Sequence, residues 1–142
     1  MLQLEVPVAT SIATARRAHN AVLFVVLDPA PAASLPVDTY PLFDCLTPNA
    51  TEAAAMVTMG AQGVYYATPT DTDWLPAYVV DAVDSVAAGD AFAGALTVAL
   101  AEGLGLRDAA RWGMAAGALC TTSRGAQIAM PTRNEVMALL AQ

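Results

Sequence analysis

The residues best suited to chemistry in this sequence fall in one nine-residue run, DSVAAGDAF, residues 84–92. Asp90 is a lone carboxylate set directly behind Ala87, Ala88 and Gly89, where the sequence turns Ala-rich and helical. No side chain larger than a methyl group lies between Val86 and Asp90, so the amides of residues 87–89 can come close to a guest. A helix start offers about half a positive elementary charge and several amides with no intrahelical partner, which suits a small anion. A carboxylate in the same turn can take a proton from an attacking hydroxyl. The pairing fits phosphoryl transfer, which asks a protein mainly for positioning and charge stabilisation. It equally fits a plain helix-start acid worth about 0.3–1 kcal/mol, and spacing alone leaves both readings open.

Composition narrows the chemistry. The chain has 142 residues, a net charge of −7, six arginines and no lysine. The charge disfavours a nucleic-acid footprint, and the missing lysine removes a Walker A loop, a kinase strand lysine and a Schiff base. His19, the single histidine, follows Arg16 and Arg17 at the expected end of a helix, where cations meet the negative pole. General-base work therefore falls to a carboxylate. Cys45 and Cys120 stand apart with no metal or redox spacing and read as buried thiols. The opening MLQLEVP has no basic stretch and an early Glu5, so it does not read as a secretory signal. The most apolar helical stretch, residues 91–101, falls short of the roughly 18 residues of a membrane span. The expectation is a soluble, cytoplasmic, single-domain chain with no nucleic-acid or membrane partner.

The elements that must hold these residues alternate in type. Residues 8–19 read as a helix, and the apolar run AVLFVVL, residues 21–27, as a strand buried on both faces in a parallel sheet. DPAPAASLP is a loop, CLTP a short strand, and TEAAAM a helix start with Asn49 at its mouth. VTMG, GVYYATP and WLPAYVV have strand character, with Gly60 and Gly63 marking tight turns and TDTD a polar one. Helices follow over 89–102, 107–121 and 132–141, the last capped by Thr132 with Glu135 three residues on. The first of these is apolar almost all round and should be central and buried. The order is that of an α/β chain.

DSVAAGDAFAGAL closely resembles the signature of the ribokinase (PfkB) family of carbohydrate kinases. Three further stretches resemble that family in the same order: TPNATEA (47–53) its Asn-x-x-Glu motif, VTMGAQGVYY (57–66) its nucleotide-side strand and glycine turn, and AAGALCTTSRGAQIAMP (115–131) the segment lining its nucleotide and cation sites. LDPAPAASLP is similar to the ribokinase branch. The resemblance implies a three-layer α/β/α core with Asp90 as catalytic base and Ala87, Ala88 and Gly89 as anion hole. It implies Mg²⁺ near Asn49 and Glu52 and ATP as co-substrate, bordered by Asn49, Thr58, Gly60, Gly63, Gly89 and Met114. It also implies a monovalent cation, K⁺, held by Asp84, Val86, Cys120, Ser123, Gly125 and Ala129, the last replacing a serine often found there. Asp90 and Glu5 align with sugar-contacting positions. Read without the resemblance, Glu52 is a solvated helix-start acid and Met114 a core residue.

Two departures accompany the resemblance. The family's leading strands, its sugar-binding Gly-Gly and Asn positions and its β lid have no counterpart here. The helix opened at Thr51 also runs after Met56 straight into VTMG, where relatives carry a further crossover unit; a parallel crossover needs about a dozen residues or more. The implied function is ATP-dependent phosphorylation of a small sugar, ribose first. The alternative is a nucleotide-binding remnant without turnover that completes its fold with another chain or as a homo-oligomer. An unrelated small α/β domain with a structural AAGD turn is the third reading.

Overall fold

A computed structural model describes residues 1–31, 33–47, 56–58, 60–67 and 71–142. The chain forms two compact units, Met1–Met59 with Tyr65–Thr72, and Gly60–Val64 with Asp73–Gln142. Nine regular elements are described: α1 (Val8–Asn20), β1 (Val26–Leu27), β2 (Cys45–Leu46), β3 (Met56–Thr58), β4 (Gly63–Ala67), β5 (Thr72–Pro76), α2 (Ala88–Ala101), α3 (Leu106–Thr121) and α4 (Arg133–Leu140). Short 3₁₀ turns at Val37–Leu42, Gly60–Gln62 and Gln127–Ala129 punctuate them.

In the first unit β1 and β2 pair in parallel, Val26 against Cys45 and Leu27 against Leu46. Leu2 forms a parallel bridge to Leu27 on the other edge. Val25, Val26 and Leu27 are all apolar and buried, as a strand covered on both faces requires. α1 places its buried Ser11 and Ala15 on one face, with the Ser11 hydroxyl donating to the Gln3 carbonyl at 2.9 Å. Arg17 and His19 lie in its last turn, as the sequence predicts. Residues 28–31 and 33–36, with their prolines, lie outside the named strands, but the 3₁₀ turn that follows was not legible in the sequence. β3, β4 and β5 form a separate three-stranded sheet in that order.

The second unit is built on α2 and α3, the most extensively packed pair among the described elements. α2 lays Phe92 on α3 where Gly113 leaves room: a Cβ at Gly113 would meet the Phe92 ring at 2.8 Å. One turn on, a Cβ at Gly117 would lie 3.1 Å from the Ala88 carbonyl, so α3 comes close where α2 begins. The core beside this contact gathers Ala91, Ala115, Ala116, Cys120, Ala129 and Val136. α4 carries the expected capping box, with Thr132 accepting the Glu135 amide and Glu135 accepting the Thr132 amide.

Three expectations are corrected. Residues 21–24 are not strand, because α1 closes through them: Val22 donates to the His19 carbonyl at 2.9 Å and Leu23 to the Ala18 carbonyl at 3.0 Å. This is a Schellman closure with Val22 in the left-handed position at φ 57°, and it leaves Val22 and Phe24 exposed. β5 stops at Pro76, which has no N–H to continue a ladder, so residues 77–80 of WLPAYVV lie outside it. α2 is buried on one face only, through Ala91, Phe92, Ala93, Leu96 and Ala99, while Gly94 and Val98 remain exposed. Its all-round apolarity comes from alanines and glycine, small side chains that gain little from burial. Of the helix predicted from residue 51, residues 51–55 lie outside the described residues, and Met56 opens β3 instead.

A β-branched residue in the left-handed region is strained by about 1–2 kcal/mol, more than the roughly 0.5–1 kcal/mol of extra chain entropy a glycine loses on folding. Val22 is 92% exposed, so removing its side chain forfeits little packing. Val22→Gly is therefore expected to stabilise the chain by about 0.5–1 kcal/mol. A urea melt checks this, and an unchanged or lower midpoint contradicts the left-handed closure.

Candidate functional site

The AAGD turn begins α2 as the spacing predicts. Ala87 takes the left-handed conformation at φ 62°, ψ 9°, and no side chain caps the helix. The helical ladder starts with the Ala91 amide donating to the Ala87 carbonyl at 2.9 Å. The Ala88 amide closes a turn on the Ser85 carbonyl at 3.2 Å, so of the three expected anion-hole amides it already has a protein acceptor. The Gly89 amide lies ahead of the ladder. A Cβ at Gly89 would meet nothing within 4 Å, so the space beside its α-carbon is open. Asp90 sits in the first turn of α2, exposed beside that opening.

The segment leading to this turn is tied to the end of α3. The Thr121 carbonyl accepts the amides of Val83 at 2.7 Å and Asp84 at 3.1 Å. The Asp84 carboxylate accepts the Val86 amide on one oxygen and the Gly125 amide on the other, both at 3.1 Å. These two bonds, Gly125 first, hold the Asp84 carboxyl below its ordinary range. The Cys120 thiol is fully buried and points its S–H at the Val86 carbonyl, 3.6 Å away. Burial first, then the carboxylates of Asp84 and Asp90, push that thiol up. Cys45 in the first unit is pushed up to about 11 by burial and by Asp44, so both thiols stay protonated at neutral pH.

Of the residues singled out for a monovalent cation, Asp84, Val86, Cys120 and Gly125 are thus brought together. Ser123 is exposed in the turn after α3, its amide donating to the Cys120 carbonyl at 3.4 Å. Ala129 lies in the core cluster with Cys120. Met114 is buried in α3. Gly60 and Gly63 both have positive φ, 54° and 123°. A Cβ at Gly63 would run into the Leu75 carbonyl, so only glycine allows that turn. Thr58 ends β3, and Glu5 is exposed in the first unit. Asn49 and Glu52, the expected Mg²⁺ positions, lie outside the described residues. Among the described residues no three His, Cys, Asp or Glu side chains gather as metal ligands.

One feature beside Asp90 had no signal in the sequence. A groove of about 260 Å³ runs along the exposed face of α2, past Asp90, Gly94 and Val98, with Trp112, Met130 and Arg133 opposite. The Arg133 guanidinium lies 5.1 Å from the centre of the Trp112 ring and grips Glu102 through two hydrogen bonds, at 2.7 and 2.5 Å. Asp90, Trp112 and Arg133 lie at least 21 positions apart along the chain, which is why spacing could not reveal the groove.

Comparison with known proteins follows the same stretch of chain. The family model described as pfkB family carbohydrate kinase matches residues 55–133. The ribokinase of Bacillus subtilis is 35% identical over 158 residues, covering 99% of this chain and 54% of that protein. Because the match is longer than the chain's 142 residues, that relative carries residues inside the matched stretch that this chain lacks. The solved ribokinase of Thermotoga maritima is 32% identical with a TM-score of 0.90, over 99% of this chain and 55% of that one. Arabidopsis thaliana ribokinase, solved with ribose and ATP, is 25% identical with a TM-score of 0.91, over 99% and 55%. The fold is therefore ribokinase-like, and the chain spans about half the length of the relatives it matches.

Arg133, by its hydrogen bonds first, holds the Glu102 carboxyl below its ordinary range. A carboxyl lowered in the folded chain binds fewer protons than in the unfolded one, so its contribution is full above the unfolded value of about 4.3 and fades as pH falls through the lowered one. Glu102→Gln is expected to lower the urea midpoint at pH 7, with the gap to the parent chain closing towards pH 3. A gap that stays constant with pH contradicts the ion pair.

Proposed function

The chain belongs to the pfkB family of carbohydrate kinases, and from that premise we propose that it supplies the phosphoryl-transfer centre of an ATP-dependent sugar kinase, with ribose the leading substrate. The observation that carries the reading is the start of α2, where a left-handed Ala87, the Gly89 amide ahead of the helical ladder and the Asp90 carboxylate occupy a single turn. Amides at a helix start stabilise the negative charge of a phosphoryl group in transfer. Asp90, one residue beyond Gly89, is placed to accept the proton of a sugar's primary hydroxyl as it attacks. With no lysine in these 142 residues, charge stabilisation falls to those amides, to metal ions or to an arginine. Ribose as substrate is supported by the ribokinases among the relatives and by the solved relative that holds ribose and ATP.

Mg²⁺ would be held near Asn49 and Glu52, where it would neutralise the nucleotide phosphates. The donor set proposed for K⁺, carbonyls at Asp84, Val86, Cys120, Ser123, Gly125 and Ala129, is all oxygen and suits a hard cation. Thr58, Gly60, Gly63 and Met114 are proposed to border the nucleotide, and Glu5 to contact the sugar. The match to about half of each relative favours a second reading, Mg-ATP binding without sugar turnover by these 142 residues alone.

ADP release in the presence of Mg-ATP, K⁺ and D-ribose separates the two. Ribose-dependent release that falls on the order of 10²–10⁴-fold in Asp90→Asn, with Mg-ATP affinity kept, supports Asp90 as the base. Equal turnover in the variant removes it from that role. Gly89→Leu adds a side chain from a Cβ position that meets nothing within 4 Å. It is expected to leave the melting temperature in place and to weaken Mg-ATP binding about tenfold or more by calorimetry. Unchanged affinity contradicts the amides as the phosphate cradle.

A further inference from the structure

An alanine, not a glycine, occupies the left-handed position before α2, and such a conformation persists in an L-residue only where the surroundings over-determine it. The surroundings here are the bonds between residues 83–86 and the end of α3. Most of them are backbone or thiol contacts that end short of the turn or are weak. Asp84 differs, because its carboxylate engages both stretches at once, Val86 on one oxygen and Gly125, 41 positions away, on the other. Hydrogen bonds to an ionised acceptor are roughly twice as strong as neutral ones. The Val86 amide it holds belongs to the residue directly before Ala87.

We propose that Asp84 is a positioning residue: its carboxylate fastens the Val86 amide to the Gly125 amide and so fixes the left-handed Ala87 turn that aims the Gly89 amide. The consequence for nucleotide binding rests on the phosphoryl-transfer reading above. Both bonds run to protein amides, so the fastening itself needs no cation. An asparagine of the same shape cannot replace Asp84. Its side chain has a single acceptor oxygen, and its amide nitrogen would face an N–H donor.

The test uses the ¹⁵N-labelled chain in a buffer whose only cation is tetramethylammonium. Exchange of the Val86 and Gly125 amides is expected to be slowed about tenfold or more relative to unstructured chain. In Asp84→Asn that slowing is lost, and the Ala87 and Gly89 resonances move although the Asp84 carboxylate bonds to neither residue. Glu102→Gln, which removes another carboxylate of the same unit, leaves those two resonances in place. Ala87 and Gly89 resonances that stay put in Asp84→Asn overturn the proposal. If Asp84→Asn does not fold, exchange in the parent chain decides, and unprotected Val86 and Gly125 amides overturn it. With K⁺ still replaced by tetramethylammonium, Mg-ATP affinity is expected to fall about tenfold, about 1.4 kcal/mol, in Asp84→Asn and to hold in Glu102→Gln. A parent chain that binds no Mg-ATP defeats the phosphoryl-transfer reading and leaves the amide measurements to decide the role of Asp84.

Discussion

The left-handed conformation of Ala87 is the constraint on which the candidate site depends. It turns the chain sharply enough for α2 to begin at Ala88, with Asp90 in its first turn. The conformation costs on the order of 1–3 kcal/mol in a non-glycine residue and must be held by its neighbours. Those neighbours come from the end of α3: the Thr121 carbonyl on Val83 and Asp84, the Cys120 thiol on the Val86 carbonyl, and the Gly125 amide on the Asp84 carboxylate. α3 can reach them because Gly113 and Gly117 let it lie against Phe92 and Ala88 with nothing between. Helix packing, turn conformation and chemistry are therefore links in one chain of contacts.

That order explains why small residues dominate both helices. Alanine at 91, 93, 99, 109, 110, 115 and 116 lets α2 and α3 pack with little side-chain entropy to lose. It also explains how α2 can be apolar almost throughout and still be buried on one face. Its exposed face, with Asp90 at the head and Val98 two turns on, borders the groove that Trp112 and Arg133 close from the other side. The base and the groove share an edge because both follow from the direction of one helix.

Much of this was legible in sequence, and the limits are physical. The AAGD turn, the three late helices and the Thr132–Glu135 box are local features set by residues within one turn of each other, and the structure reproduces them. The residues 21–24 misled because their side chains favour a strand, while the backbone closure of α1 needs those positions for its last carbonyls. WLPAYVV misled for a similar reason, with Pro76 ending the ladder that the flanking residues favour. The contacts that set the site were out of reach of local pattern, and only the family resemblance grouped Asp84, Val86, Cys120 and Gly125. Cys120 to Val86 spans 34 positions and Asp84 to Gly125 spans 41, and no periodicity or spacing reports on pairs so distant.

A crystal structure of the chain with Mg²⁺ and a non-hydrolysable ATP analogue tests the central claim most directly. The account predicts the terminal phosphate against the Gly89 amide at the start of α2, with the Asp90 carboxylate on its open side and Ala87 still left-handed. A bound analogue whose phosphates lie away from that turn, with the helix start contacting only solvent, would contradict it.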